Sequence, residues 1–391
     1  VLSLAPTPPA NNFVPPDELA LDQPAFPLDV FFCETCHHVQ LLDVVDPAYL
    51  FEKYVYVSGT SASFVAHFQR YAQECQRRFN ISDGALVVDI GSNDGTLLRF
   101  FDNQTVLGID PAVDIAKSAT EQGIETWPVF FDRSLAEKIV TKKGQAALVT
   151  ANNMFAHADD LAGITDGIHH LLQPDGVFVF EASYLLDVYQ ETLFDTIYHE
   201  HLAYHSVAPL KRFFSAHGMD LFAVQRTSSH GGSLRGMVQL AGGPHASDGT
   251  VEQLIRLEEE AGLDKSKTLK EYGTKIDKLK DELGSLLARL RAEGKRIAGF
   301  GAPAKATTLM HHFDIGPETI EFIADDSPLK QGLFTPGLHV PVVGADHLYA
   351  EQPDYVLVLA WNFAGPIMKN HHRYRESGGR FIVPLPTLEV I

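Results

Sequence analysis

Cysteine is scarce in this chain, with three thiols, Cys33, Cys36 and Cys75, among 391 residues. That is too few for a disulfide framework and fits a reducing compartment. No apolar run reaches bilayer-spanning length and no signal-peptide pattern is visible, so a soluble, cytoplasmic protein without membrane contact is expected. Basic residues are outnumbered, 31 Lys and Arg against 50 Asp and Glu. The resulting formal charge of −19 would repel a phosphate backbone, which argues against a nucleic-acid partner. A second cysteine pair is also missing. Cys33 and Cys36 form a C-x-x-C that supplies two of the four ligands a closed structural zinc site needs, and the adjacent His37 and His38 rarely point at one ion.

What is present is an α/β texture. The length, with 45% hydrophobic residues, suits two or three domains. Residues 1–32 are Pro-rich with few periodic apolar positions, which predicts an extended arm laid against something larger and not a core. "FVAHFQRYAQECQRRF" carries apolar residues at three- and four-residue spacing, the mark of a helix. Short apolar runs follow at 86–90, 105–110, 146–152 and 176–183, separated by helical stretches. Such alternation builds right-handed crossovers and a doubly wound sheet. "LLQPDG" (171–176) reads as a helix exit into a turn. Residues 250–294 are charged and heptad-like, predicting a long helix broken near Gly262 that bridges two domains. A second α/β unit starts at "RIAGFGAPAKATTLM" (296–310), with further strands at 320–326, 354–361 and 380–385.

Polar groups collect at the expected strand ends. In "LVVDIGSNDGTLL", Gly91 and Gly95 permit a tight turn and close approach of a ligand. The spacing is not G-x-G-x-x-G, and the acid in the loop would repel a pyrophosphate, so a ligand with a cationic or neutral centre fits better. Asp110 ends the second strand, where an acid accepts ribose hydroxyls. Asn152 and Asn153 end the next, with His157 just beyond. A glycine turn with ordinary loop residues is the competing reading. "DTIYHEHLAYHS" (195–206) crowds three His, two Tyr and one Glu together, groups that trade protons near neutrality. Its alternatives are a polar helix face or a metal cluster. "SSHGGSLRG" (228–236) offers His230, Gly231 and Arg235 as a phosphate grip, or else a hairpin turn with a surface Arg. Gly299-Phe300-Gly301 has Ala304 where a third glycine would stand. Lys305 follows at a helix start that welcomes phosphate, so a sugar-nucleotide site is read there in preference to NAD, with a tight strand–helix turn as the alternative.

Together "DIGSNDGTLL", "GIDP" and "ANNMFAH" resemble the S-adenosylmethionine site of class I methyltransferases. With "FFCETCHHVQL", "YVYVSGTSAS", "YHEHLAYHS", "HGGSLR", "GFGAPAKATT", "PGLHVPVV" and "AWNFAGPI", nearly the whole chain resembles sugar C-methyltransferases acting at C-3 of nucleotide-linked 4-keto-6-deoxy sugars. The resemblance implies a zinc module and arm (1–60), a methyltransferase sheet (61–245), a helical connector (246–294) and a Rossmann-like sugar-nucleotide domain (295–391). The family's zinc module uses four Cys, of which this chain keeps Cys33 and Cys36. Gly91, Ser92, Asn93, Asp94 and Gly95 would line the cofactor with Asn152 and Asn153, and Asp110 would hold its ribose. Proton handling would fall to His157, Tyr198, Glu200 and His201, with an aromatic, Tyr54 or Tyr56, closing over the site. The chemistry expected is removal of the C-3 hydrogen by His201, Glu200 or a neighbour orienting the ring, and oxyanion stabilisation by Tyr198, His157 or that aromatic. O-methylation, hydride transfer and non-catalytic sugar-nucleotide binding are the rival functions.

Overall fold

The computed structural model describes residues 1–51, 57–60 and 62–391. Three sheets organise it. The first joins β1 (Leu2–Thr7), β2 (Phe26–Phe32) and β3 (Val39–Leu41) as antiparallel neighbours. Leu4, Leu28, Val30, Val39 and Leu41 are buried there, so the Pro-rich beginning is more than an arm: it contributes a small sheet with its own share of the core. Pro6 lies in β1 where its register with β2 shifts between Leu4 and Thr7, and Pro27 is the second residue of β2. Neither is among the register pairs, so their missing N–H groups are accommodated, and the other prolines lie outside the strands.

The second sheet follows the apolar runs. It comprises β4 (Leu86–Ile90), β5 (Thr105–Ile109), β6 (Thr126–Trp127), β7 (Ala146–Asn152) and β8 (Leu172–Ser183). β9 (Ala203–Tyr204) then pairs back onto β3, so the first sheet borrows a strand from mid-chain. β10 (Met219–Thr227) and β11 (Ser233–Leu240) complete the second sheet in the order β10-β11-β8-β7-β4-β5-β6. β11 alone runs antiparallel to both neighbours. Residues 172–176 extend β8 and do not form the expected turn: Leu172 pairs with Ala146, and the Gln145 and Gln173 amides donate to carbonyls across the pair.

The third sheet has the order β14-β13-β12-β15-β16-β17, from β12 (Ile297–Phe300), β13 (Ile323–Asp325), β14 (Val342–Gly344), β15 (Tyr355–Val358), β16 (Arg380–Val383) and β17 (Glu389–Val390). Both large sheets reverse direction beside their first strand, between β4 and β7 and between β12 and β15, where open α/β sheets leave a crevice. Gly262, at φ +74°, separates helices Thr250–Glu260 and Ser266–Ala292. The longer one buries Leu269, Tyr272, Ile276, Leu279, Leu283, Leu287 and Leu290 along one stripe. One apolar core runs from Leu4 to Leu385 through all three sheets, and a second, including Phe68, Tyr71, Val87, Leu148, Val179 and Met237, lies against the second sheet. Among the described residues no helix is long and apolar enough to cross a membrane.

Candidate active site

The loop leaving β4 lies at the reversal point of the second sheet. Gly91 and Gly95 both have φ +74°, which a side chain tolerates poorly, and a Cβ on Gly91 would meet Met154 at 2.9 Å. Asp110, just past β5, accepts from the Asn93 N–H at 2.8 Å and the Ala112 N–H at 2.9 Å. Burial pushes its carboxyl up against those two donors. Each carboxylate oxygen retains a second lone pair for an incoming hydroxyl. The buried Asn152 amide lies beside the Asp89 carboxyl, which burial pushes up and whose charged form the amide favours. Ser92 Oγ is buried with no partner among the described residues. An unsatisfied buried hydroxyl of this kind suits a ligand that supplies a partner. Val113, at the start of the helix after β5, and Val129 and Phe130, after β6, are exposed apolar residues that sequence reasoning did not single out.

Asn93 and Asp94 also hold another segment: Asn93 Oδ1 accepts from the Ser58 N–H at 2.9 Å and Asp94 Oδ2 from the Gly59 N–H at 3.1 Å. Asp94 also accepts from the Thr96 hydroxyl at 2.6 Å. The glycine loop is therefore clamped to the turn that follows residues 52–56. Tyr54 and Tyr56 lie outside the described residues.

The histidine-rich segment reaches this loop through short contacts. Met154, against Gly91, accepts the His157 N–H at its carbonyl at 2.8 Å. The His157 ring stacks on His201 with centroids 5.0 Å apart, and Tyr198 lies 4.1 Å from His201 on the same measure. Phe51 stacks on His157 at 5.5 Å. His201 Nδ1 lies 2.7 Å from the Thr196 carbonyl oxygen, which accepts and can bind only an N–H. A neutral His201 thus carries its lone pair on Nε2. Burial, then His201, holds His157 well below the usual histidine range, so its ring is neutral, and its Nε2 has no partner among the described residues. Glu200 is buried and accepts from Asn11 Nδ2 at 2.7 Å. Tyr204 and His205 are interior residues, His205 donating to the Phe155 carbonyl with burial pushing its pKa down to about 3.

The third sheet leans on the same segment. Helix Ala304–His312 starts past Gly301, and its Thr308 hydroxyl donates to the Ile197 carbonyl at 2.8 Å. Lys305 stands 5.0 Å over the Trp361 ring, whose Nε1–H donates to the buried Asp195 at 2.6 Å. Burial pushes the Asp195 carboxyl up, and Lys305 stands close enough for its charge to favour the ionised form against that burial. Gly231 and Gly232 face inward, a Cβ on each meeting Leu193 and Asp187; the His230 side chain lies outside the described residues. Arg235 corrects the phosphate-grip expectation. It is buried in β11, donates to Glu181 at 2.7 Å and Glu74 at 2.8 Å, and packs 4.1 Å over Tyr71. One face of the guanidinium lies on Tyr71 and its N–H edge is committed to two carboxylates, and His67 completes the cluster 2.8 Å from Glu181.

Cys33 and Cys36 share a tight turn, and backbone N–H groups of Cys36 and Thr35 hold the Cys33 thiol below its usual pKa. No group of three or more metal-ligating side chains exists among the described residues. Two thiols do not close a tetrahedral zinc site, so the described residues do not fit that metal.

A seven-stranded sheet with one reversed strand beside the edge, a glycine loop at its reversal point and an acid after the second strand define a class I methyltransferase. Family models agree along the chain: a zinc binding domain over residues 1–51, a methyltransferase domain over 64–224 and a C-methyltransferase C-terminal domain over 228–386. The chain is 35% identical over its whole length to the C-methyltransferase NovU of Streptomyces niveus, covering 94% of that protein. It belongs to the C-methyltransferase family and is an S-adenosylmethionine-dependent C-methyltransferase. Solved structures similar to it include an S-adenosylmethionine-dependent methyltransferase of Clostridium acetobutylicum (12% identity, 46% of this chain and 92% of that one, TM-score 0.37). Another is the Synechocystis magnesium protoporphyrin IX methyltransferase with bound SAH (15%, 46% and 83%, TM-score 0.35).

Proposed function

We propose that the enzyme methylates C-3 of a nucleotide-linked 4-keto-6-deoxy sugar through an enolate. The observation carrying this reading is the His201 ring, held by the Thr196 carbonyl so that Nε2 is the basic nitrogen, and stacked on a neutral His157. In this reading His201 Nε2 takes the C-3 proton, which the adjacent ketone acidifies. His157, with Tyr198, donates to the ketone oxygen as negative charge develops there. Glu200, the chain neighbour of His201, supplies the buried negative charge that favours the imidazolium. Gly91, Ser92, Gly95, Asp110, Asn152 and Asn153 would hold S-adenosylmethionine, which when bound supplies an electrophilic methyl group. Lys305 would face the nucleotide phosphates. Three free thiols support a reducing, cytoplasmic setting.

The test is solvent deuterium wash-in at the sugar carbon without methyl donor, followed by mass gain with it, over a panel of nucleotide-linked keto sugars. Wash-in at C-3 is expected. Methylation with no wash-in on any acceptor would overturn the enolate and favour a hydroxyl target. His201→Asn should keep S-adenosylhomocysteine binding while turnover falls at least about 100-fold, the scale of a lost general base.

A further inference from the structure

We propose that Asn11, from the first sheet's segment, is a positioning residue for catalysis, acting through Glu200; this rests on the role given to Glu200 above. The two residues are 189 apart in sequence, yet Asn11 Nδ2 lies 2.7 Å from Glu200 Oε1. An ionised carboxylate only accepts, so the amide nitrogen must face it. That N–H favours the charged form of a side chain only 2% exposed and fixes where its charge sits.

Asn11 is itself triangulated. Pro8 and Pro9 restrict the chain before it, and a turn closes with the Asn12 N–H on the Pro9 carbonyl at 3.0 Å. The Ala10 carbonyl accepts from the Thr307 hydroxyl at 3.0 Å, and Val14 exchanges both backbone hydrogen bonds with Phe334. The amide thus stands between the methyltransferase segment and the third sheet with little freedom of its own. Although its thiols do not complete a metal site, the beginning of the chain supplies a polar group to the proton-handling cluster.

The experiment compares Asn11→Ala with Asn11→Asp, which keeps the shape but places an oxygen where the N–H was. The full chain is assayed with the panel sugar that gains most mass with wild type. Losing a hydrogen bond to a charged group should lower kcat and the deuterium wash-in rate about tenfold to a hundredfold in Asn11→Ala. KM for the sugar and the dissociation constant for S-adenosylhomocysteine should stay within about twofold, since uniform binding is untouched. Asn11→Asp should fall at least as far. An Asn11→Asp enzyme near wild-type rate, or an Asn11→Ala enzyme that loses only thermal stability or affinity, overturns the proposal. If either variant does not fold, Asn11→Ser takes its place: a reduced kcat at unchanged affinity supports the role, and a wild-type rate overturns it. Absence of wash-in and mass gain with wild type would overturn the enolate reading itself, and the Asn11 role would fall with it.

Discussion

At the scale of single residues, Arg235 is held by two carboxylates, Glu181 and Glu74, inside the second sheet, and the turn residues of the glycine loop are held by backbone N–H groups of another segment. Gly91, Asp110 and Asn152 announce themselves because each follows a short apolar run, and a parallel strand ends where its apolar run does. Nothing local could reveal that Asn93 and Asp94 spend their side chains on Ser58 and Gly59, or that Arg235 meets Glu74 across 161 residues of sequence. A glycine pair followed by Arg suggests an exposed loop; β11 is instead an interior strand buried on both sides from Ser233 to Gln239, so this Arg faces the interior, where Glu181 compensates its charge. Arg235→Met would leave the Glu181 carboxylate buried with His67 as its remaining partner. Breaking a buried pair in this way costs roughly 3–5 kcal/mol. Urea unfolding at pH 7.5 should show that loss, and Arg235→Met combined with Glu181→Met should recover much of it. A single variant as stable as wild type would contradict the ion-pair account.

Among elements, long and strongly patterned ones were readable. β4, β5, β7 and the charged helices fall where periodicity puts them, and Gly262 does separate two helices. β9, two residues long, has no pattern to read, although its pairing with β3 ties the histidine segment to the first sheet. The start of β8 was masked by Pro174 and Gly176, local breakers outweighed by pairing with Ala146. The Ser58–Gly59 turn is a further unreadable element, because its meaning lies in the side chains it grips. A Cβ on Gly59 would stand 2.4 Å from Asp94 Oδ2. Gly59→Ala should therefore displace the clamp and weaken S-adenosylhomocysteine binding about tenfold, the value of one hydrogen bond to a carboxylate. Calorimetric titration measures this directly, and unchanged affinity would separate the turn from the cofactor loop.

For the whole molecule, buried imidazoles set the acid limit. Burial, then His38, keeps the folded His205 pKa at about 3 against 6.5 for the free side chain. Below pH 6.5 the unfolded chain takes up this proton and the folded chain does not, so the stability it confers is present above pH 6.5 and drains away as pH falls towards 3. Between pH 7.5 and 5.0 the loss from this one group is about 2 kcal/mol. His205→Leu should lose that much less over the same interval in urea melts; an identical slope would mean the ring is protonated within the fold.

The pairing of Val14 with Phe334, and of Ala10 with Thr307, has a temporal consequence. A ribosome delivers the second partner of the latter pair 297 residues after the first. Until then the opening stretch has nothing to dock against on that side, and Asn11 has no fixed station over Glu200. A chain still lacking Thr307 and Phe334 should accordingly leave the segment around Asn11 without these anchors even when the methyltransferase sheet is complete, which proteolysis of such a truncated chain would show as earlier cleavage near Asn11.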